Sequence, residues 1–217
     1  MARPRRRLAF SVALAGLLAG CAADQGAPED ADADPSSGSE AVTAKPCAAT
    51  DTSLFFHGMS GYGRELAQPG LCVPSLANAG ANGFWSDVAF TRAPAAAIVG
   101  GYSAGRIPLV RRLAKDSGSA QTAVMLDPSY ADGPRFDGRT GPDIVEAWLD
   151  HDAARRFVLV YLPSSAGWRE YAALAKGPHA AQVNVCAVAG THLELPARVT
   201  AQLFVDPDAW VAERCAR

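Results

Sequence analysis

The sequence predicts an α/β domain built on a mostly parallel sheet, and three observations carry that reading. Short apolar runs alternate with longer segments of helical apolar spacing over roughly residues 46–217. Each run is bounded by turn or charged residues. The polar residues able to do covalent chemistry stand immediately after the runs, where the loops of a parallel sheet line a crevice.

In chain order the strand candidates are "SLFF" (53–56), "AAIVG" (96–100), "TAVML" (122–126), "FVLVYL" (157–162) and "VNVCAV" (183–188). Between and after them lie the helical candidates "AGRIPLVRRLAK", "GPDIVEAWLDHD", "AGWREYAALAK" and the C-terminal "PARVTAQLFVDPDAWVAERCAR". Pro108 falls near the start of the first helix, where a missing N–H is tolerated. The loops following the strands read "HGMSGYG", "GYSAG", "DPSYADG", "PSSAGW" and "AGTHLE". A serine, an aspartate and a histidine thus follow three different strands.

Both ends of the polypeptide constrain where the protein works. Arg3, Arg5, Arg6 and Arg7 precede the apolar run "LAFSVALAGLL", the order of an export signal, over residues 1–20. Leu18-Ala19-Gly20-Cys21 resembles the lipobox of bacterial lipoproteins, which implies cleavage before Cys21 and lipid on that cysteine. Residues 21–45 then form an acidic, small-residue stretch that cannot bury enough apolar surface to fold. It is expected to be a flexible tether with a reach of about 25 Å. The whole chain carries 20 Lys and Arg against 22 Asp and Glu. The signal's four arginines and the tether's six acids and one lysine nearly cancel, and residues 46–217 keep 15 Lys and Arg against 16 Asp and Glu, close to neutral, which argues against a nucleic-acid partner. Once Cys21 is assigned to lipid, Cys47, Cys72, Cys186 and Cys215 make an even set in an exported domain, and two disulfides are expected. The local pairings Cys47–Cys72 and Cys186–Cys215 are preferred among the three that are open. No CxxC or HxxxH spacing exists, so no metal is expected.

A serine hydroxyl becomes a nucleophile when a base takes its proton and an acid holds that base in one tautomer. Gly101-Tyr102-Ser103-Ala104-Gly105 matches G-x-S-x-G, a tight turn from strand to helix that exposes its serine. With this motif the folded part resembles the α/β-hydrolase family, in a reduced form with a sheet of about five to six strands and helices on both faces. The reduction follows from the short interval between His57 and Ser103, in which "FWSDVAF" is a candidate compressed strand. The family order of serine, acid and histidine is met by Ser103, Asp127 and His192. Asp127 lies in "MLDPSYADGPRF", which is similar to the "LDPA" segment of pancreatic-type lipases. Most family members carry the acid one strand later, so Glu170, Asp132 and Asp137 stand as reserves, and an N-capping Asp-Pro turn is the ordinary alternative for Asp127. "FFHGMSGYG" resembles the family's oxyanion loop, and the resemblance names the backbone N–H groups of Met59 and Ala104 as oxyanion donors. His57 would then shape the loop.

The resulting expectation is an exported, lipid-anchored serine hydrolase, cutinase-like and without a lid, that cleaves a small-molecule ester or lipid and needs no cofactor. Tyr130, Phe136 and Trp168 are candidate apolar walls, and Arg135, Arg139 and Arg169 are candidate anion contacts. A monomer held at the membrane on the extracytoplasmic side of the envelope is expected. A non-catalytic binding lipoprotein, and an amidase or peptidase with the same triad, stand as alternatives.

Overall fold

A computed structural model of the protein describes residues 47–48, 50–58, 68–74, 95–116, 118–128, 135–199 and 201–215. The export signal, Cys21 and the tether, Met59, "FWSDVAF", Tyr130 and Asp132 lie outside the described residues. Among the described residues, no helix is long and apolar enough to cross a membrane.

Six strands form one sheet: β1 (Ser53–Phe56), β2 (Leu71–Cys72), β3 (Ile98–Tyr102), β4 (Thr122–Leu126), β5 (Arg156–Tyr161) and β6 (Val183–Ala187). Their order is β2-β1-β3-β4-β5-β6, and every neighbouring pair is parallel. The class is α/β with an all-parallel sheet, as the alternation of runs predicts. β2, of two residues, is too short to show a period in the sequence. β3 runs on through Gly101 and Tyr102, past the predicted end at Gly100. These two residues pair with β4 opposite Met125 and Leu126, so Gly101 is a strand residue and not the start of the turn.

Among the described residues five α-helices pack on the sheet: α1 (Arg106–Ala114), α2 (Gly141–Leu149), α3 (Arg169–Ala172), α4 (Leu195–Val199) and α5 (Pro207–Arg214). The strand period of two sorts the core into two layers. Leu54, Phe56, Met125 and Leu159 face Leu109, Leu113, Ile144 and Trp148 of α1 and α2. Phe55, Val124, Leu126 and Val160 face Leu195, Val199, Phe204 and Trp210 on the other side. Helices therefore cover both faces of the sheet. The Thr140 hydroxyl accepts from the Asp143 amide and the Asp143 carboxylate from the Thr140 amide, a capping box that starts α2. The predicted C-terminal helix divides into α4, a short 3₁₀ turn (Ala201–Phe204) and α5, because Asp206-Pro207 opens a new N-terminus capped by the Asp206 carboxylate.

At the amino-terminal end of the sheet a buried ion pair joins the segment before β4 to the one before β5. Arg155 Nη2 stands 3.2 Å from Asp116 Oδ2 and Arg155 Nη1 donates to the Trp148 carbonyl at 2.6 Å. Ser119 Oγ and Trp148 Nε1 donate to the same carboxylate. Burial raises the Asp116 carboxyl, but these bonds and the Arg155 charge outweigh it and hold it below the ordinary carboxylate range.

Disulfides join Cys47 to Cys72, with Cα atoms 5.1 Å apart, and Cys186 to Cys215, with Cα atoms 4.8 Å apart. These are the two local pairings preferred from the sequence. The second closes a separation of 29 residues between β6 and the end of α5. By the chain-entropy relation, the double variant Cys186→Ser/Cys215→Ser should lose about 3.6 kcal/mol of stability. Urea unfolding of the two proteins checks this, and an unchanged midpoint would refute it.

Candidate active site

The strand order reverses direction around β1, which has β2 on one side and β3 on the other. Ligand crevices in open parallel sheets form beyond the carboxyl ends of strands at such a point. Here that point holds His57 and Gly58 after β1 and Ser103 after β3.

Ser103 is held in a turn that few residues adopt. Tyr102 ends β3 in an extended conformation, Ser103 has φ +53°, and the helical segment Ser103–Gly105 leads directly into α1. Left-handed backbone at a non-glycine residue costs about 1–3 kcal/mol and persists only where packing enforces it. The packing is visible in the two glycines of the motif. A β-carbon on Gly101 would press into the backbone of Gly105, and one on Gly105 would collide with the Phe56 carbonyl. Without side chains, β1 and the turn close on each other and the serine is driven to the crevice side.

His192 Nε2 lies 3.0 Å from Ser103 Oγ, and His192 Nδ1 lies 2.6 Å from Asp127 Oδ2. The carboxylate can only accept, so Nδ1–H donates to it and Nε2 is left to accept the serine proton. Serine, imidazole and carboxylate, drawn from the ends of β3, β6 and β4, form one continuous chain. His192 follows Gly190, which takes φ +129° in the loop after β6. Tyr102 braces this loop, its hydroxyl donating to the His192 carbonyl at 2.6 Å and its ring lying 4.9 Å from the imidazole. The imidazole is 41% exposed, so a substrate can reach it.

Asp127 is buried, at 1% exposure, just beyond β4 with φ +35°. Its amide donates to the Val160 carbonyl at 2.7 Å, and its Oδ1 accepts from the Leu162 amide at 3.2 Å and from Ser165 Oγ at 2.5 Å. Burial pushes the carboxyl up, but the bonds from His192, Ser165 and Leu162 together hold it below its ordinary value. Asp127 therefore meets the imidazole, and of the reserves Asp132 lies outside the described residues. Glu170 is instead 3.2 Å from Arg106 Nη1. Asp137 occupies the turn between Phe136 and Arg139, with φ +51°.

Ala104, the first of the two expected oxyanion donors, is buried directly after Ser103 at the start of the helical segment, where backbone N–H groups have no intrahelical acceptor. Met59, the second, lies outside the described residues. Gly58 before it is buried against the site: a β-carbon there would come within 2.9 Å of the Tyr102 ring and 3.4 Å of the Ser103 β-carbon. His57 is fully buried and its Nδ1 stands 2.6 Å from the Gly58 carbonyl oxygen, a position that shapes this loop.

Of the expected walls, Trp168 is stacked on Tyr161 with ring centroids 4.1 Å apart, and Arg169 lies over the indole at 5.8 Å. Phe136 sits away from the triad beneath Arg111 and Lys115, at 5.7 and 5.6 Å from its centroid. Arg135 donates to the Gly138 carbonyl. An open cleft of about 270 Å³ flanks His192, lined by Asp127, Pro128, Leu162 and the small residues Ser164 to Gly167. Among the described residues one group of metal-ligand types gathers, Cys47, Asp51 and Cys72, and its two sulfurs are joined in the disulfide. Ser165 and Tyr102 were not singled out as site residues in the sequence; their roles depend on contacts distant in the chain.

No protein-family model and no curated protein matches the chain. Among solved structures it is similar to Est1E from Butyrivibrio proteoclasticus, with a TM-score of 0.42 at 13% identity, over 74% of this chain and 88% of that one.

The lowered Asp127 carboxyl has a measurable sign. An unfolded carboxyl titrates near pH 4 (about 4), so the stability that ionised Asp127 contributes is fully present above that pH and is lost as pH falls through the lower folded value. The unfolding free energy of wild type minus that of Asp127→Asn should hold above about pH 4 and shrink below it. Urea titrations from neutral to acid pH test this, and a difference that stays constant down to about pH 2 would overturn it.

Proposed function

We propose that this chain is a serine hydrolase of the α/β-hydrolase type that cleaves carboxylic esters through an acyl-enzyme. The observation that carries the reading is the unbroken hydrogen-bonded chain from Ser103 through His192 to Asp127, at 3.0 and 2.6 Å, with the serine on a strained turn at the switch point of the sheet.

Each step uses groups of this site. His192 Nε2 takes the Ser103 proton as Oγ attacks the ester carbonyl carbon, and the C=O π electrons move to the carbonyl oxygen. The backbone N–H groups of Ala104 and Met59 are the proposed donors to that oxyanion. Collapse of the intermediate breaks the bond to the alkoxide, which leaves with the proton from His192. Water then attacks the acyl-enzyme, giving its proton to the same nitrogen. The second intermediate expels Ser103 Oγ, which recovers the proton, and the acid is released. Asp127 stays ionised throughout, stabilising the imidazolium formed in each half. An alkoxide leaves more readily than an amine, so an ester or lipid is the proposed substrate class.

The protein is further proposed to be exported and held at the membrane by lipid on Cys21, with residues 22–45 as spacer. The lipobox-like sequence and the two disulfides support that placement.

A fluorophosphonate probe should label the wild type on Ser103 and leave Ser103→Ala unlabelled, and a folded wild type that does not label would sink the enzyme reading. Asp127→Asn should lower kcat on a chromogenic ester by about 10⁴-fold; near-normal turnover would remove Asp127 from the triad. Cys21→Ser should release the expressed protein from the membrane fraction, and continued sedimentation with membranes would refute the lipid anchor.

A further inference from the structure

We propose that Ser165 is a positioning residue of this site: its hydroxyl, with the Leu162 amide, holds one oxygen of Asp127 so that the other faces His192. The proposal rests on the hydrolase reading above and adds a fourth side chain to it.

The geometry of the loop after β5 carries the inference. Ser165 N donates to the Leu162 carbonyl at 3.0 Å, which closes a four-residue turn with Pro163 at its second position. The first and last residues of that turn both aim a donor at one atom. Leu162 N lies 3.2 Å and Ser165 Oγ 2.5 Å from Asp127 Oδ1. The hydroxyl has one proton and a second acceptor within reach, the Leu162 carbonyl at 3.0 Å. The charged oxygen is the nearer and the stronger acceptor, so the proton points to Asp127.

The turn is itself held from behind. Trp168 Nε1 donates to the Ser165 carbonyl at 2.8 Å, and the indole is stacked on Tyr161, the last residue of β5. Ser165 is thus tied on its amide, its carbonyl and its hydroxyl, and β5 sets the position of all three. A carboxylate pivots about its Cβ–Cγ bond, and with one oxygen engaged by two donors that rotation is stopped. Oδ2 then presents its lone pair to Nδ1–H at 2.6 Å. This keeps the imidazole in the tautomer whose Nε2 can accept from Ser103.

Ser165→Ala removes the hydroxyl and leaves the turn, the Trp168 bond and the Leu162 amide in place. The readout is the second-order rate at which a fluorophosphonate labels Ser103, which needs no knowledge of the natural substrate. That rate should fall about tenfold, the scale of one hydrogen bond to a charged group, and Ser165→Thr should restore it. In an Asp127→Asn background the same substitution should cost nothing further, because a residue that acts through the carboxylate has nothing left to position. Melting temperatures establish that each variant is folded, and Ser165→Gly replaces Ser165→Ala if the latter is not. Unchanged labelling in the folded variant, an equal loss with Thr, or an equal loss in both backgrounds would overturn the proposal. A wild type that does not label, or a Ser103→Ala variant that labels as fast, would instead overturn the hydrolase reading on which it rests.

Discussion

A buried carboxylate organises the site end of the sheet. Asp127 is almost without solvent, and an ionised carboxylate out of water costs several kcal/mol (about that scale) unless donors replace its hydration. Its donors are the Leu162 amide, the Ser165 hydroxyl and the His192 imidazole, from the loops after β5 and β6, while its own amide is held by Val160. Three loops must meet at one point for this residue to be buried at all. The strand registers make that meeting possible: Leu126 pairs with Val160, and Val160 with Cys186, so β4, β5 and β6 end level with one another.

The serine is placed by a different constraint, the close approach of backbones at the switch point. β3 is paired with β1 from Ile98 to Gly101 and with β4 from Ile98 to Tyr102, which fixes its end. Beyond it Gly105 lies against the Phe56 carbonyl and Gly101 against Gly105, and the only residue between the glycines that can turn outward is Ser103. Tyr102 is buried, and its hydroxyl reaches the His192 carbonyl. One residue of the elbow thus anchors the base loop, and the next presents the hydroxyl that the base faces. Moving the turn by one residue would undo both.

These two constraints explain which parts were legible in the sequence. Five strands, the two-layer core and the chain order of Ser103, Asp127 and His192 depend on local period and on turn chemistry, which a sequence displays directly. The end of β3 is not displayed, because Gly101 and Tyr102 read as part of the turn until their pairing with β4 is seen. β2 is held by its pairing with β1 and by the Cys47–Cys72 link, neither of which leaves a pattern in two residues. Ser165 was one serine of a loop "PSSAGW" whose significance comes from a carboxylate 38 positions earlier. The pair of Asp116 and Arg155 was invisible for the same reason: charged residues near turns read as surface until a strand brings them together, 39 positions apart.

Among the described residues a buried carboxylate stands at each end of the sheet, and the two differ in the group they face. Asp116 faces Arg155, a cation that does not release its proton, in a network closed by Ser119, the Trp148 indole and the Trp148 carbonyl. Both partners are nearly free of solvent, so the arrangement can brace the strand starts and nothing can enter it. Asp127 faces an imidazole, which can take and return a proton, and that imidazole is partly open to solvent with a serine hydroxyl on its far nitrogen. The burial of the acid is alike in the two cases. What differs is the partner: a fixed charge makes the first a structural clasp, and a proton acceptor reachable from outside makes the second the one to which the proposed chemistry is assigned.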